Sequence, residues 1–240
     1  MLTIHVPQEQ NSYKLFSKDT LELKPGITNL VGCNGYGKST LLYTIKRWAE
    51  QNNIPVFHWN DRRDGQEKLI DHTLRQGGQK NTETAASLML SSEGEGIEIA
   101  FSYMADLIFE ILNKALSAKQ NDVILLFDAI DSGASINTIR SFKNIFNILL
   151  NRTKEKNVNL YIVSTSNTYE MTIGTNNMDT CKLQYIPEFS SYEKFSDFIL
   201  KTFEIKQNRK KIHYRRTNSF KKENEELLRS TDWPIKRTKL

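Results

Sequence analysis

Gly32-Cys33-Asn34-Gly35-Tyr36-Gly37-Lys38-Ser39-Thr40 decides how this chain is read. The stretch satisfies G-x-x-x-x-G-K-[ST]. Before it stands the apolar run Ile27-Thr28-Asn29-Leu30-Val31, and after it Leu41, Leu42, Ile45, Trp48 and Ala49 recur at helical spacing. A strand that enters a glycine-rich turn and leaves it as a helix is the context in which this pattern has a mechanism. Gly32, Gly35 and Gly37 let the backbone wrap so that its N–H groups point at phosphate oxygens, and the helix N-terminus adds a positive partial charge. Lys38 is expected to reach the β- and γ-phosphates of a nucleotide, and Ser39 to hold a magnesium ion through its hydroxyl.

Outward from this loop the chain alternates strand and helix. Residues 2–6, 13–16 and 20–23 read as short strands separated by Asn11-Ser12, Lys18-Asp19 and Pro25-Gly26, a small antiparallel sheet. Residues 54–59 read as another strand, and 61–84 as loop with short helix. Apolar residues at 97, 101, 104, 107, 108, 111, 112 and 115 form a helical stripe over 97–116. The continuous apolar run 123–127 suits a central parallel strand. A second amphipathic helix is expected over 136–150, strands over 159–164 and 182–186, and a last helix over 191–203. This order implies an α/β fold, a mainly parallel sheet flanked by helices, with the small antiparallel sheet at the start. Residues 1–203 form one nucleotide-binding domain in this reading, and 204–240 a basic tail.

Composition narrows the class. With 240 residues and 38% hydrophobic content, the chain can bury one full α/β core. Cys33 and Cys181 have no metal-ligand spacing around them, which argues against a zinc site or disulfide framework and suits a reducing, cytoplasmic compartment. No apolar run reaches the roughly 18 residues of a membrane span, and the first residues are too polar for a signal peptide. Net charge is +5, unevenly spread: residues 201–240 hold 13 Lys/Arg against 5 Asp/Glu, leaving 20 against 23 for residues 1–200. Lys201, Lys206, Arg209, Lys210, Lys211, Arg215 and Arg216, with Phe203, His213 and Tyr214 among them, could grip nucleic acid or an acidic protein surface. A solvated tail is the alternative.

A second motif is Ile124-Leu125-Leu126-Phe127-Asp128, an apolar strand ending in a carboxylate. Beside a phosphate loop such an Asp ligates Mg²⁺. ATP and Mg²⁺ are therefore the expected cofactors, with Asp128 joining Ser39 at the metal.

With these residues in place the chain resembles the ABC-type P-loop ATPases, in particular the soluble SMC and RecF-like branch and small ATP-binding proteins of phages and bacterial defence systems. The loop carries Asn34 and Thr40, as that family prefers. Ser92-Glu93-Gly94-Glu95 is similar to its signature motif, Asp131-Ser132-Gly133-Ala134-Ser135 to its D-loop, and Ile162-Val163-Ser164-Thr165-Ser166-Asn167 to the strand leading to its switch histidine. Gln66, with Arg62 and Arg63 nearby, falls in the region of its Q-loop, where a glutamine touches Mg²⁺ or the attacking water. A solvated loop is the other reading of Gln66. Tyr13 falls near the family's adenine-stacking aromatic, or packs on the first sheet.

The resemblance implies a head-to-tail homodimer with ATP sandwiched between subunits. Ser92 and Gly94 of one copy would then cap the γ-phosphate held by Lys38 of the other, coupling ATP to DNA metabolism or phage defence. Only 54 positions separate Lys38 from Ser92, so no coiled-coil arm fits there.

The chain also departs from the family. Ala129 stands where a catalytic Glu follows the Mg²⁺-binding Asp, and it cannot accept a proton from water. Ser166 stands at the switch histidine. Asp131 is open between a catalytic base and a structural role in its loop. Two further readings follow: an ATP switch without hydrolysis, and a P-loop kinase for a small molecule, which leaves Ser92 and the Asp131 loop unexplained.

Overall fold

The computed structural model describes residues 1–6, 15–60, 75, 78–90, 93–132 and 134–208. In chain order the elements are β1 (Leu2–His5), β2 (Thr20–Leu23), β3 (Gly26–Val31), α1 (Lys38–Gln51), β4 (Val56–Asn60), α2 (Gln79–Leu90) and α3 (Glu93–Ser117). Then come β5 (Asp122–Asp128), α4 (Ile136–Glu155), β6 (Asn159–Thr165), α5 (Tyr169–Thr172), β7 (Asn176–Asp179), β8 (Gln184–Ile186) and α6 over 192–208.

Val123 to Phe127 is apolar at every position, so the strand it forms needs cover on both faces. Helices on both faces, with the β1–β2 pair, supply that cover. The six strands of the sheet run in the order β4-β5-β6-β3-β7-β8, parallel except for β8, which pairs antiparallel with β7. On one face Leu41, Leu42, Ile45 and Ala49 of α1, with Ile4, Leu21 and Leu23 of the antiparallel pair β1–β2, pack on Leu30, Ile124, Leu126, Tyr161 and Val163. On the other face Met104, Ile108 and Leu112 of α3 and Ile139, Phe142, Phe146 and Leu149 of α4 cover Leu125, Phe127 and Ile162. The Phe127 and Phe146 rings meet at 4.9 Å between centroids.

One polar knot crosses this apolar interior. Asn29, in the middle of β3, is fully buried. Its Nδ2 donates to the Met171 carbonyl and to Thr175 Oγ1, each at 2.6 Å, while its Oδ1 accepts from the Ser164 hydroxyl. These bonds tie β3 to β6 and to α5 and the turn after it. Every member is satisfied, which is the condition for a buried polar network to support a core.

Several expectations shift against this architecture. Leu15 and Phe16, the described part of the strand read over 13–16, lie outside any strand, although Phe16 is buried. The loop with short helix expected over 61–84 gives way from Gln79 to a helix that runs to Leu90, and α3 begins at Glu93 rather than 97. The sequence reading has no counterpart of α5 or β7. Asn176-Asn177-Met178-Asp179 is polar, yet it pairs with β3 and is buried at 177–179, with Asn177 Nδ2 donating to the Thr172 carbonyl at 3.0 Å. Helix α6, read over 191–203, runs on to 208, where Ile205 and Lys206 still contact the glycine loop. Among the described residues no helix is long and apolar enough to cross a membrane.

Asn29→Ala removes the knot while leaving Ser164 and the Met171 carbonyl buried. The expected loss is about 2–3 kcal/mol of unfolding free energy, read as a lower urea midpoint with unchanged slope.

Candidate functional site

Parallel register brings four strand ends to one edge: Leu30 of β3 lies opposite Thr165 of β6, and Asn60 of β4 opposite Asp128 of β5. Ligands of open α/β sheets bind at such carboxyl ends. Here a cavity of about 330 Å³ opens, lined by Asn34, Gly35, Gly37, Lys38, Ser39, Thr40, Asp128, Ala129, Ser132, Thr165 and Asn167.

The glycine loop reaches the cavity through a backbone that other residues adopt poorly. Gly32 has φ of 152°, and a Cβ there would lie 2.3 Å from the Tyr36 ring. Gly37, with φ of 97°, is the N-cap of α1. It offers no side-chain cap, and the first turn holds no acidic residue. Intrahelical bonding begins with Leu41 N–H donating to the Gly37 carbonyl at 2.9 Å. The N–H groups of Lys38, Ser39 and Thr40 belong to the first turn, which has no intrahelical acceptors. Helix α4 is the contrast: Ser135 caps it, accepting from Thr138 N–H at 3.1 Å. The helix that faces the cavity is thus open at its positive end, and the one that does not is closed.

Lys38 is 8% exposed. Its Nζ donates to the Gly32 carbonyl at 2.5 Å and to Asn167 Oδ1 at 3.2 Å. Burial lowers its pKa from the ordinary 10.5, opposed chiefly by the negative charge of Asp131.

Asp128 stands across the cavity on β5, accepting from Thr165 Oγ1 at 3.0 Å. The same hydroxyl oxygen accepts from Ala129 N–H at 2.7 Å, so Thr165 links the strand end to the turn that follows. Ala129 has φ of 59°, the left-handed region, where a side chain costs about 1–2 kcal/mol.

Asp131 is 1% exposed and does not line the cavity. Its Oδ2 accepts from Asn167 N–H at 2.8 Å, Thr168 N–H at 2.9 Å and Thr168 Oγ1 at 2.9 Å, and its Oδ1 from Asn167 Nδ2 at 3.4 Å. A carboxylate so occupied holds the 167–168 turn in place. These bonds are the ones that the structural alternative for Asp131 calls for.

Asn34, Gly35, Gly37, Lys38, Ser39, Thr40 and Asp128 therefore share one cavity, and Gly32 supports Lys38 from below. Ser166, expected at the switch position, is fully buried and does not line the cavity; Thr165 and Asn167, on either side of it, do. Ser166 and Asn167 lie just past the end of β6, so which of them meets the cavity is set by the turn that follows the strand. The run of small polar residues ending a buried strand was the available signal for Thr165 and Asn167. Gly94 lies in the first turn of α3. Gln66, Ser92, Tyr13, Gly133 and the tail beyond 208 lie outside the described residues.

This chain matches no protein-family model and no curated protein.

Lys38→Met is expected to stabilise the ligand-free protein at pH 7 by about 1 kcal/mol, since it removes a buried cation. The native folded state binds this proton less readily than the unfolded state does. Stability of the native chain therefore rises with pH between the lowered pKa and 10.5, and the advantage of Lys38→Met shrinks over that window. Urea unfolding of both proteins from pH 7 to pH 10 measures it.

Proposed function

We propose that this chain is an ATP-binding protein of the P-loop NTPase class, similar to the soluble ABC-type ATPases, in which bound ATP joins two copies head to tail and is hydrolysed slowly. One observation carries the reading: the uncapped start of α1, the buried Lys38, and the Ser39 hydroxyl and Asp128 carboxylate all meet at one cavity. Open amide groups and a buried ammonium suit a polyphosphate, because both present positive charge in a place poorly screened by water. One hydroxyl and one carboxylate suit Mg²⁺, which keeps several waters and takes its remaining ligands from phosphate oxygens. The ion would neutralise charge on the transferred phosphoryl group. Asn167, bonded to Lys38 and lining the cavity, is placed to respond to the terminal phosphate.

Slow turnover follows from two positions. Ala129 faces the cavity with no proton acceptor, and the Asp131 carboxylate is committed to Asn167 and Thr168. The same pair of facts favours a second reading, an ATP switch with no turnover, in which nucleotide only holds a complex together. Pairing of two copies depends on Ser92, and coupling to DNA metabolism or phage defence depends on the basic residues beyond 208.

The purified chain, mixed with ATP and Mg²⁺, is followed by light scattering and phosphate release together. The expected result is a doubling of mass with slow release, both lost in Lys38→Ala and in Ser92→Arg. Doubling without release selects the switch. A Ser92→Arg protein that still doubles removes the signature assignment, and a monomer that turns ATP over only with an added acceptor points to a kinase.

Lys38→Ala is further expected to weaken MgATP binding at least a hundredfold, about 3 kcal/mol, by removing a charge-assisted contact. Equilibrium titration with a fluorescent ATP analogue checks it.

A further inference from the structure

Helix α6 lies against the outside of the glycine loop and holds two of its peptide groups. Thr202 Oγ1 accepts from Cys33 N–H at 2.9 Å and donates to the Ile199 carbonyl at 2.7 Å. One turn further along, Lys206 donates from Nζ to the Asn34 carbonyl. Positions 202 and 206 share a helix face. Ile199 and Ile205 pack on Cys33 and Tyr36, which fixes the helix against the loop.

The first of these peptide groups, between Gly32 and Cys33, is gripped from both sides. Its carbonyl accepts from Lys38, and its N–H donates to Thr202. The second joins Asn34 to Gly35. Its carbonyl faces the Lys206 ammonium, and Gly35 lines the cavity. A Cβ at Gly35 would lie 2.7 Å from Lys206 Nζ, so a side chain there would push the ammonium aside. A carbonyl that accepts from a cation polarises its own amide, and the N–H on the other side becomes a stronger donor.

We infer that Thr202 and Lys206 are positioning residues of the phosphate site: from outside the loop they set the conformation and donor strength of its amides. The inference rests on the ATP-binding reading for its consequence, but not for the clamp itself. Helix α6 is then part of the nucleotide site.

Lys206→Met, Lys206→Arg and Thr202→Val in the full chain test it with two readouts. Amide hydrogen exchange at residues 33–37 of the free protein reports the clamp, and titration with MgATP reports its consequence. Lys206→Met is expected to speed loop exchange about tenfold and weaken MgATP about tenfold, the scale of one hydrogen bond to a charged group. Lys206→Arg should restore both to within about threefold, because it keeps the cation and a donor. Thr202→Val should act mainly on the Cys33 amide, and it keeps the test open if Lys206→Met folds poorly. Unchanged loop exchange in Lys206→Met and Thr202→Val overturns the clamp. Faster exchange with MgATP affinity inside twofold of native overturns the positioning role. A native chain that binds no nucleotide, yet shows faster loop exchange in the variants, overturns the ATP reading and leaves the clamp standing.

Discussion

Lys38 places an ammonium group under the open, positive end of α1 in a position that water barely reaches. Two sources of positive charge in one poorly solvated spot cost free energy, and nearby groups are arranged to reduce that cost. The Gly32 carbonyl and Asn167 take its hydrogen bonds. Asp128 and Asp131 supply opposing charge, and each is itself held by hydrogen bonds to the end of β6 and the turn that follows. On the proposed ATP-binding reading, an anion in the cavity would satisfy this charge better than the free chain does, and stability and binding would be set against each other at this one side chain.

Sheet order explains how so many groups reach Lys38. Strand β6 lies between β3, which feeds the glycine loop, and β5, which ends in Asp128. The chain leaving β6 therefore touches both: Thr165 bonds to Asp128, and Asn167 bonds to Lys38 and Asp131. Asn29 secures the same three-strand unit from within, since it bonds to Ser164 one position before Thr165. A shift of β6 along its neighbours would move the polar support and the buried knot together.

The parts legible in the sequence were those with a strong local signal. α1 was legible because a glycine turn starts it and its apolar period runs to Ala49; β2 was read to the residue between its turns. The runs in β3, β5 and β6 are apolar enough to declare themselves. β7 did not, because its polar side chains are buried by partners far along the chain, Thr172 and β3, which no local pattern encodes. At the site the loop residues and Asp128 were legible for the same local reason. Thr165 and Asn167 were not singled out, because choosing them over Ser166 requires knowing how the chain turns as it leaves β6. Thr202 and Lys206 lie 169 and 172 positions from their loop partners, and a basic segment reads as a tail until the fold turns it back.

The left-handed backbone at Ala129 bears on any effort to re-engineer this cavity. The direction of a side chain is set by its φ and ψ, and here φ is 59° with the amide fastened to Thr165. A carboxylate grafted at this position would inherit that direction and that strain, instead of the geometry of an extended strand end. Installing a proton acceptor is therefore a backbone design problem, in which Thr165 and the turn after β5 must be rebuilt along with the side chain.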